Sequence, residues 1–234
     1  MRVAAEEISN VRHLKGFFIT GTDTGVGKTT VSAAFMHRYR LEASLRYWKP
    51  IQTGIEGSDD TSDVAQLGRC HQGEIVPWGI RLPRPVSPHL AARWAGTTIE
   101  IPPLLDAIAR EPHDRSWIVE GAGGVLVPIN DDGQTMADLM VGLNLPTIVV
   151  ARTTLGTINH TLLTLDALRR RDLRVAGVVM VGDRNSDNTA AIEQYGSVAV
   201  LGHMPRFEAL TAEVLEAWSR SELDPEGRLL QDLR

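Results

Sequence analysis

The chain has 234 residues, 43% of them hydrophobic, enough to build a substantial core and too many for a disordered chain. Its 24 Lys and Arg against 29 Asp and Glu leave a net charge of -5, without the basic excess that nucleic-acid binding requires. A single cysteine, Cys70, excludes an internal disulfide and any multi-cysteine metal site, so a metal would fall to acidic residues or histidines.

Residues 1–15, with Arg2, Glu6, Glu7, Arg12 and Lys15, are charged, lack the apolar stretch of a signal peptide and read as an N-terminal extension. Apolar runs such as Leu145 to Ala151 fall well short of the ~20 residues of a membrane helix, so a soluble, cytoplasmic protein without membrane or nucleic-acid partners is expected. No repeat or linker divides residues 16–234, which are expected to form one domain. Short β-branched runs alternate there with segments of helical period. Strands are expected at Phe17–Thr20, Leu45–Trp48, Trp117–Glu120, Thr147–Ala151, Val175–Val181 and Val198–Gly202. Helices are expected to begin at Lys28, near Asp63, at Pro88, Ile101, Thr135 and Ile158, and near Asp187 and Ala209. The pattern predicts an α/β fold, a doubly wound, mainly parallel sheet with helices on both faces, in which ligands sit at the carboxyl ends of the strands.

The first strand runs into Gly21-Thr22-Asp23-Thr24-Gly25-Val26-Gly27-Lys28-Thr29-Thr30 and then directly into a helix, the setting of a phosphate-binding P-loop. Glycines let backbone N–H groups wrap phosphates, the helix start adds a positive field, Lys28 neutralises the β/γ charge and the Thr29 hydroxyl can ligate Mg²⁺. Thr22 stands where the standard spacing has its first glycine, and Gly21 comes one residue early. The second strand ends in Trp48-Lys49-Pro50-Ile51-Gln52-Thr53-Gly54, which leaves Lys49 at the strand's carboxyl edge. It either faces developing phosphoryl charge or reaches solvent. Asp59, Asp60 and Asp63 stand at a helix start, where solvated capping competes with metal binding.

The strand ending in Glu120 resembles the second acidic strand of P-loop proteins, and the glycines after it permit close approach of a ligand. The segment Arg152 to His160 brings a glycine-bearing loop to a helix start, a second potential anion site at which His160 is either catalytic or a cap. Ser87-Pro88-His89 reads as a helix start, Arg169-Arg170-Arg171 as a helix end and Cys70 as a semi-buried thiol.

Taken together, Gly21 to Thr29, Trp48 to Gly54, Ser62-Asp63, Ser87 to His89, Val119 to Gly124, Leu155 to His160 and Leu201 to Pro205 resemble the dethiobiotin synthetases in order and spacing over roughly residues 16–207. The resemblance implies closure of 7,8-diaminononanoate with CO₂ to dethiobiotin, driven by ATP or another nucleoside triphosphate with Mg²⁺. The route implied passes through a carbamate and a carbamic-phosphoric anhydride. It implies a nucleotide held by Thr24, Gly25, Val26, Gly27, Lys28, Thr29, Thr30 and Pro205, and Mg²⁺ on Thr29, Asp63 and Glu120. It implies catalysis by Lys28, Lys49 and Thr53. The last two touch the carbamate, and Gly121, Ala122, Gly123 and Gly124 lie against the substrate. Leu155, Gly156, Thr157 and Asn159 of a partner subunit would receive the substrate carboxylate, which implies a homodimer.

Two departures stand out. Many members read adenine with an Asn at the position of Val181, which implies relaxed base preference here; many also carry an acidic residue at Gly25. The competing class is a switch protein akin to the partitioning ATPases, but these place a second lysine early in the loop, where this chain has Thr22 or Asp23. An amidotransferase-type synthetase needs a Cys–His pair, and Cys70 has no such context.

Overall fold

The computed structural model describes residues 14–57, 59–112 and 114–234, so all but the last two residues of the expected N-terminal extension lie outside the described part. In chain order the elements are β1 (Lys15–Gly21), α1 (Lys28–Tyr39), β2 (Leu45–Trp48), β3 (Ile51–Thr53), α2 (Asp60–Leu67), β4 (Ile80–Leu82), α3 (Pro88–Trp94), α4 (Ile101–Ala109), β5 (Ser116–Gly124), α5 (Met136–Leu143), β6 (Thr147–Arg152), α6 (Thr157–Arg169), β7 (Val175–Val181), α7 (Ser186–Gly196), β8 (Val200–Met204) and α8 (Ala212–Glu222). Six strands form one parallel sheet in the order β2-β5-β1-β6-β7-β8.

Both faces of this sheet are covered, so its strands are apolar throughout rather than alternating. In β1, Phe17 and Ile19 pack with Val31, Phe35 and Leu215 of α1 and α8, while Phe18 points the other way, toward Met136 and Met140 of α5. The Phe17 and Phe35 rings meet edge to face at 5.7 Å. The doubly wound expectation holds, and the six expected strands are the six of this sheet.

Three differences matter for the site. The fifth strand does not stop at Glu120: it continues to Gly124, with Gly21 opposite Gly124 after a register shift, so Glu120 lies within the strand. Strand β8 is displaced to Val200–Met204, two residues beyond the expected span. A second sheet, β3 with β4, pairs in parallel from Ile51↔Ile80 to Thr53↔Leu82. Its strands have three residues each, too short for a periodic signal.

The weakly patterned chain after Pro205 folds back onto α1. The Asp224 carboxylate is buried and accepts from the Tyr39 hydroxyl (2.6 Å) and from the N–H groups of Arg228 (2.9 Å) and Leu229 (3.0 Å). Arg38 donates to the carbonyls of Leu223 (3.0 Å) and Asp224 (3.2 Å). Asp224→Ala would strand those donors. It is expected to cost about 3 kcal/mol in urea unfolding, and a loss below about 0.5 kcal/mol would contradict this role for Asp224.

Candidate active site

The loop between β1 and α1 sits at the carboxyl end of the sheet. Gly27 has φ +100° and a Cβ there would lie 3.3 Å from Val181 Cγ1, so only glycine holds the loop this close to the end of β7. Gly25 also has positive φ (+67°), a conformation that favours glycine at this position. Arg152, at the end of β6, braces the loop by donating to the Thr24 carbonyl (2.9 Å), with Asp23 3.5 Å from its guanidinium. The Lys28 ammonium donates to the Asp23 carbonyl (3.1 Å). Burial, then the charge of Lys49, push its pKa down to about 8.

Glu120 is fully buried and is met by four side chains. Thr29 (3.1 Å) and Lys49 (2.7 Å) donate to Oε1, and Ser32 (2.8 Å) and Tyr47 (3.0 Å) donate to Oε2. Lys49 is therefore buried and paired rather than solvated. It also lies 2.7 Å from Asp60 Oδ2 and donates to the Gly121 carbonyl at 3.1 Å. Burial alone would lower the Lys49 pKa, but Glu120 and Asp60 outweigh it and raise the value above that of an ordinary lysine.

A cleft of about 900 Å³ opens over this cluster. It brings together Thr24, Gly25, Gly27, Lys28, Thr29, Thr30, Lys49, Thr53, Glu120, Ala122 and Gly123 of the expected site. Val26 is not on its wall, because its side chain turns inward under Gly21. Gly121 and Gly124 lie in the strand behind, and Pro205 follows Met204, whose methyl group would lie 3.6 Å from a Cβ on Gly27. Of the three aspartates weighed between capping and metal binding, it is Asp60, not the expected Asp63, that lines the cleft, and a far wall of Pro83, Pro85, Val86, Ser87 and Pro88 was not expected from the residues. The Ser-Pro signal was read only as a helix start.

Asp63 is exposed on α2 and does not line the cleft; Asp60, three residues earlier, does. The Asp63 pKa is raised by partial burial and by the charges of Asp60, Asp59 and Glu120. Asp59 is the helix cap, accepting from the Thr61 N–H at 3.0 Å. Leu155, Gly156 and Asn159 are exposed and away from the cleft of their own chain, and the Thr157 hydroxyl donates to the Arg152 carbonyl. His160 is exposed on α6. Burial pushes the Cys70 thiol up to about 11, unsuited to a nucleophile. At the end of β7 the chain presents Val181, and Asn185 caps α7 by accepting from the Asn188 N–H at 2.9 Å.

A family model described as an AAA domain matches residues 15–214. The chain is 47% identical over 202 residues to the ATP-dependent dethiobiotin synthetase BioD of Paramagnetospirillum magneticum, covering 86% of this chain and 93% of that one. The chain belongs to the dethiobiotin synthetase family. A second member, from Agrobacterium fabrum, is 45% identical over 199 residues and 90% of its length. A ParA family ATPase from Chlorobium tepidum superposes with a TM-score of 0.55 at 13% identity, over 89% of this chain and 98% of that one, a likeness of fold alone. The family assignment made from motif order thus holds, and with it the class of ATP-dependent ligase.

If Lys28 holds the triphosphate, as the loop pattern implies, it does so only as an ammonium. Above about pH 8 the free protein must take up a proton on binding triphosphate, so Kd is expected to rise by up to about tenfold per pH unit. Below that pH this group contributes no slope. Calorimetry between pH 7 and 9.5 reads this directly. Lys28→Met should weaken binding and remove the slope, and a flat wild-type profile would contradict the assignment.

Proposed function

We propose that the protein closes the ureido ring of dethiobiotin from 7,8-diaminononanoate and CO₂ with ATP or another nucleoside triphosphate, acting as a cytoplasmic homodimer without nucleic-acid or membrane partners. The observation that carries the reading is the convergence of Lys28, Lys49 and Glu120 on one cleft at the carboxyl end of the sheet. CO₂ adds to one substrate amine to give an anionic carbamate, which must then approach an anionic γ-phosphate. Two ammonium groups offset that repulsion, and they do so best in a site shielded from water. The carbamate oxygen takes the γ-phosphoryl group as its bond to the bridging oxygen breaks and nucleoside diphosphate leaves. The second amine then attacks the activated carbon, favoured by its attachment to the same molecule, and phosphate leaves.

The Lys49 ammonium directs its three donors at Glu120, Asp60 and the Gly121 carbonyl. Asp60 is the most exposed of the two carboxylates, and a carbamate entering beside Thr53 would exchange with it. Ala122 and Gly123 leave room for the substrate chain against β5, with Gly121 and Gly124 shaping the same strand. The ring closure needs no protein nucleophile.

The residues present fit Mg²⁺. Among the described residues no group of three or more His, Cys, Asp and Glu could hold a metal by itself, and Mg²⁺ is commonly held by one or two carboxylates together with substrate phosphates and water. Thr29 and Glu120 supply adjacent hard oxygens on the cleft wall, and Asp63 contributes negative potential from α2. Bound there, Mg²⁺ would neutralise charge on the β- and γ-phosphates.

The exposed Leu155 and Leu163 on the α6 side support a subunit interface that carries Asn159 toward a partner's cleft. The partition-switch alternative shares the fold with the ParA neighbour, but no lysine stands early in the loop. No helix among the described residues is long and apolar enough to cross a membrane.

Lys49→Ala is expected to lower dethiobiotin formation at least about 100-fold while triphosphate Kd stays within about threefold, read by mass detection of product and by calorimetry. Unchanged turnover would refute the role of Lys49. Val181 offers the base no hydrogen bond from its side chain, so kcat/KM for ATP, CTP and GTP should agree within about tenfold. A strong preference for ATP would overturn relaxed base selection.

A further inference from the structure

The two oxygens of Glu120 divide their partners by side. Oε1 serves Thr29 and Lys49, which line the cleft; Oε2 serves Ser32 and Tyr47, which are fully buried and do not line it. The division follows from secondary structure. Ser32 stands three residues after Thr29 on α1, on the same helix face. Tyr47 stands two residues before Lys49, at a spacing that returns a strand to the same face. Each element that sends one donor to the cleft side of the carboxylate therefore sends a second behind it.

A phenylalanine would fill the Tyr47 position in the core equally well, and burying the hydroxyl is favourable only because Glu120 accepts from it. Burial and the Glu120 charge hold the phenol pKa well above the ordinary value, so it remains a donor.

We propose that Tyr47, together with Ser32, is a positioning residue for the cation side of the site: the pair occupies Oε2, fixes the carboxylate plane and turns Oε1 toward Thr29, Lys49 and the cleft, where it would share a divalent ion with Thr29. This inference rests on the reading of Thr29 and Glu120 as metal ligands given above. It goes further, because nothing in the P-loop pattern demands a tyrosine on β2.

The test uses Mn²⁺ as the probe, with free Mn²⁺ followed by electron paramagnetic resonance in the presence of the full-length protein and a non-hydrolysable ATP analogue. Tyr47→Phe is expected to weaken Mn²⁺ binding about tenfold, with Ser32→Ala acting in the same direction. In turnover, Tyr47→Phe should raise the Mg²⁺ concentration for half-maximal rate, and excess Mg²⁺ should restore kcat, a split that general loss of structure would not produce. Tyr39→Phe, which removes the hydroxyl bound to Asp224, is the control: it should lower the melting temperature and leave Mn²⁺ affinity unchanged. If Glu120→Gln abolishes Mn²⁺ binding while Tyr47→Phe stays within about twofold of wild type, the positioning role is overturned and the metal site stands. If Glu120→Gln leaves Mn²⁺ binding intact, the metal reading falls and the positioning role with it.

Discussion

Glu120 is a carboxylate enclosed within a parallel sheet, where an unpaired charge would cost several kcal/mol, and the site is assembled around its neutralisation. Two donors come from α1, one from β2 and one from the residue just after β2. The pairing therefore ties the helix that follows the phosphate loop and the strand that carries Lys49 to the same atom group. Such clusters contribute little net stability compared with an apolar core of the same shape, while removing one partner commonly costs about 3–5 kcal/mol. The cluster is better understood as a device of position. It fixes where the cations stand relative to the loop.

The same cluster divides labour between two lysines. Lys28 has its pKa driven down by burial and by repulsion from Lys49, so its charge would respond to any anion brought beside it. Lys49 is held charged by Glu120 and Asp60 despite its burial. One cation is thus poised and the other locked, within a protein whose net charge is -5. A reaction that must join two anions needs positive charge that is local and fixed, and oppositely charged neighbours are what permit it to stay buried.

Much of this was legible in the sequence because strand ends in a doubly wound sheet converge. Glycines followed by Lys28 and Thr29, Lys49 before Pro50, and Glu120 after an apolar run each announce a strand end or its neighbourhood, and all meet in the cleft. What was not legible depends on contacts across elements. Which of three aspartates turns inward is set by the phase of α2: Asp59 caps the helix, Asp60 reaches Lys49 and Asp63 faces out. The extension of β5 through four residues of small side chain follows from pairing with Gly21, which local propensity opposes. The Tyr47 hydroxyl on Glu120 is invisible in a run read as apolar strand, since only the register of β2 against β5, Tyr47 opposite Ile118, shows what the phenol can reach.

The central claim is that the cleft joins a carbamate oxygen to the γ-phosphorus before the ring closes. It is tested most directly by supplying CO₂ labelled with ¹⁸O and following the label by mass spectrometry in a single turnover. If the anhydride forms, the amine attack breaks the carbon–oxygen bond and inorganic phosphate carries away one labelled oxygen. Dethiobiotin formed together with wholly unlabelled phosphate would contradict it.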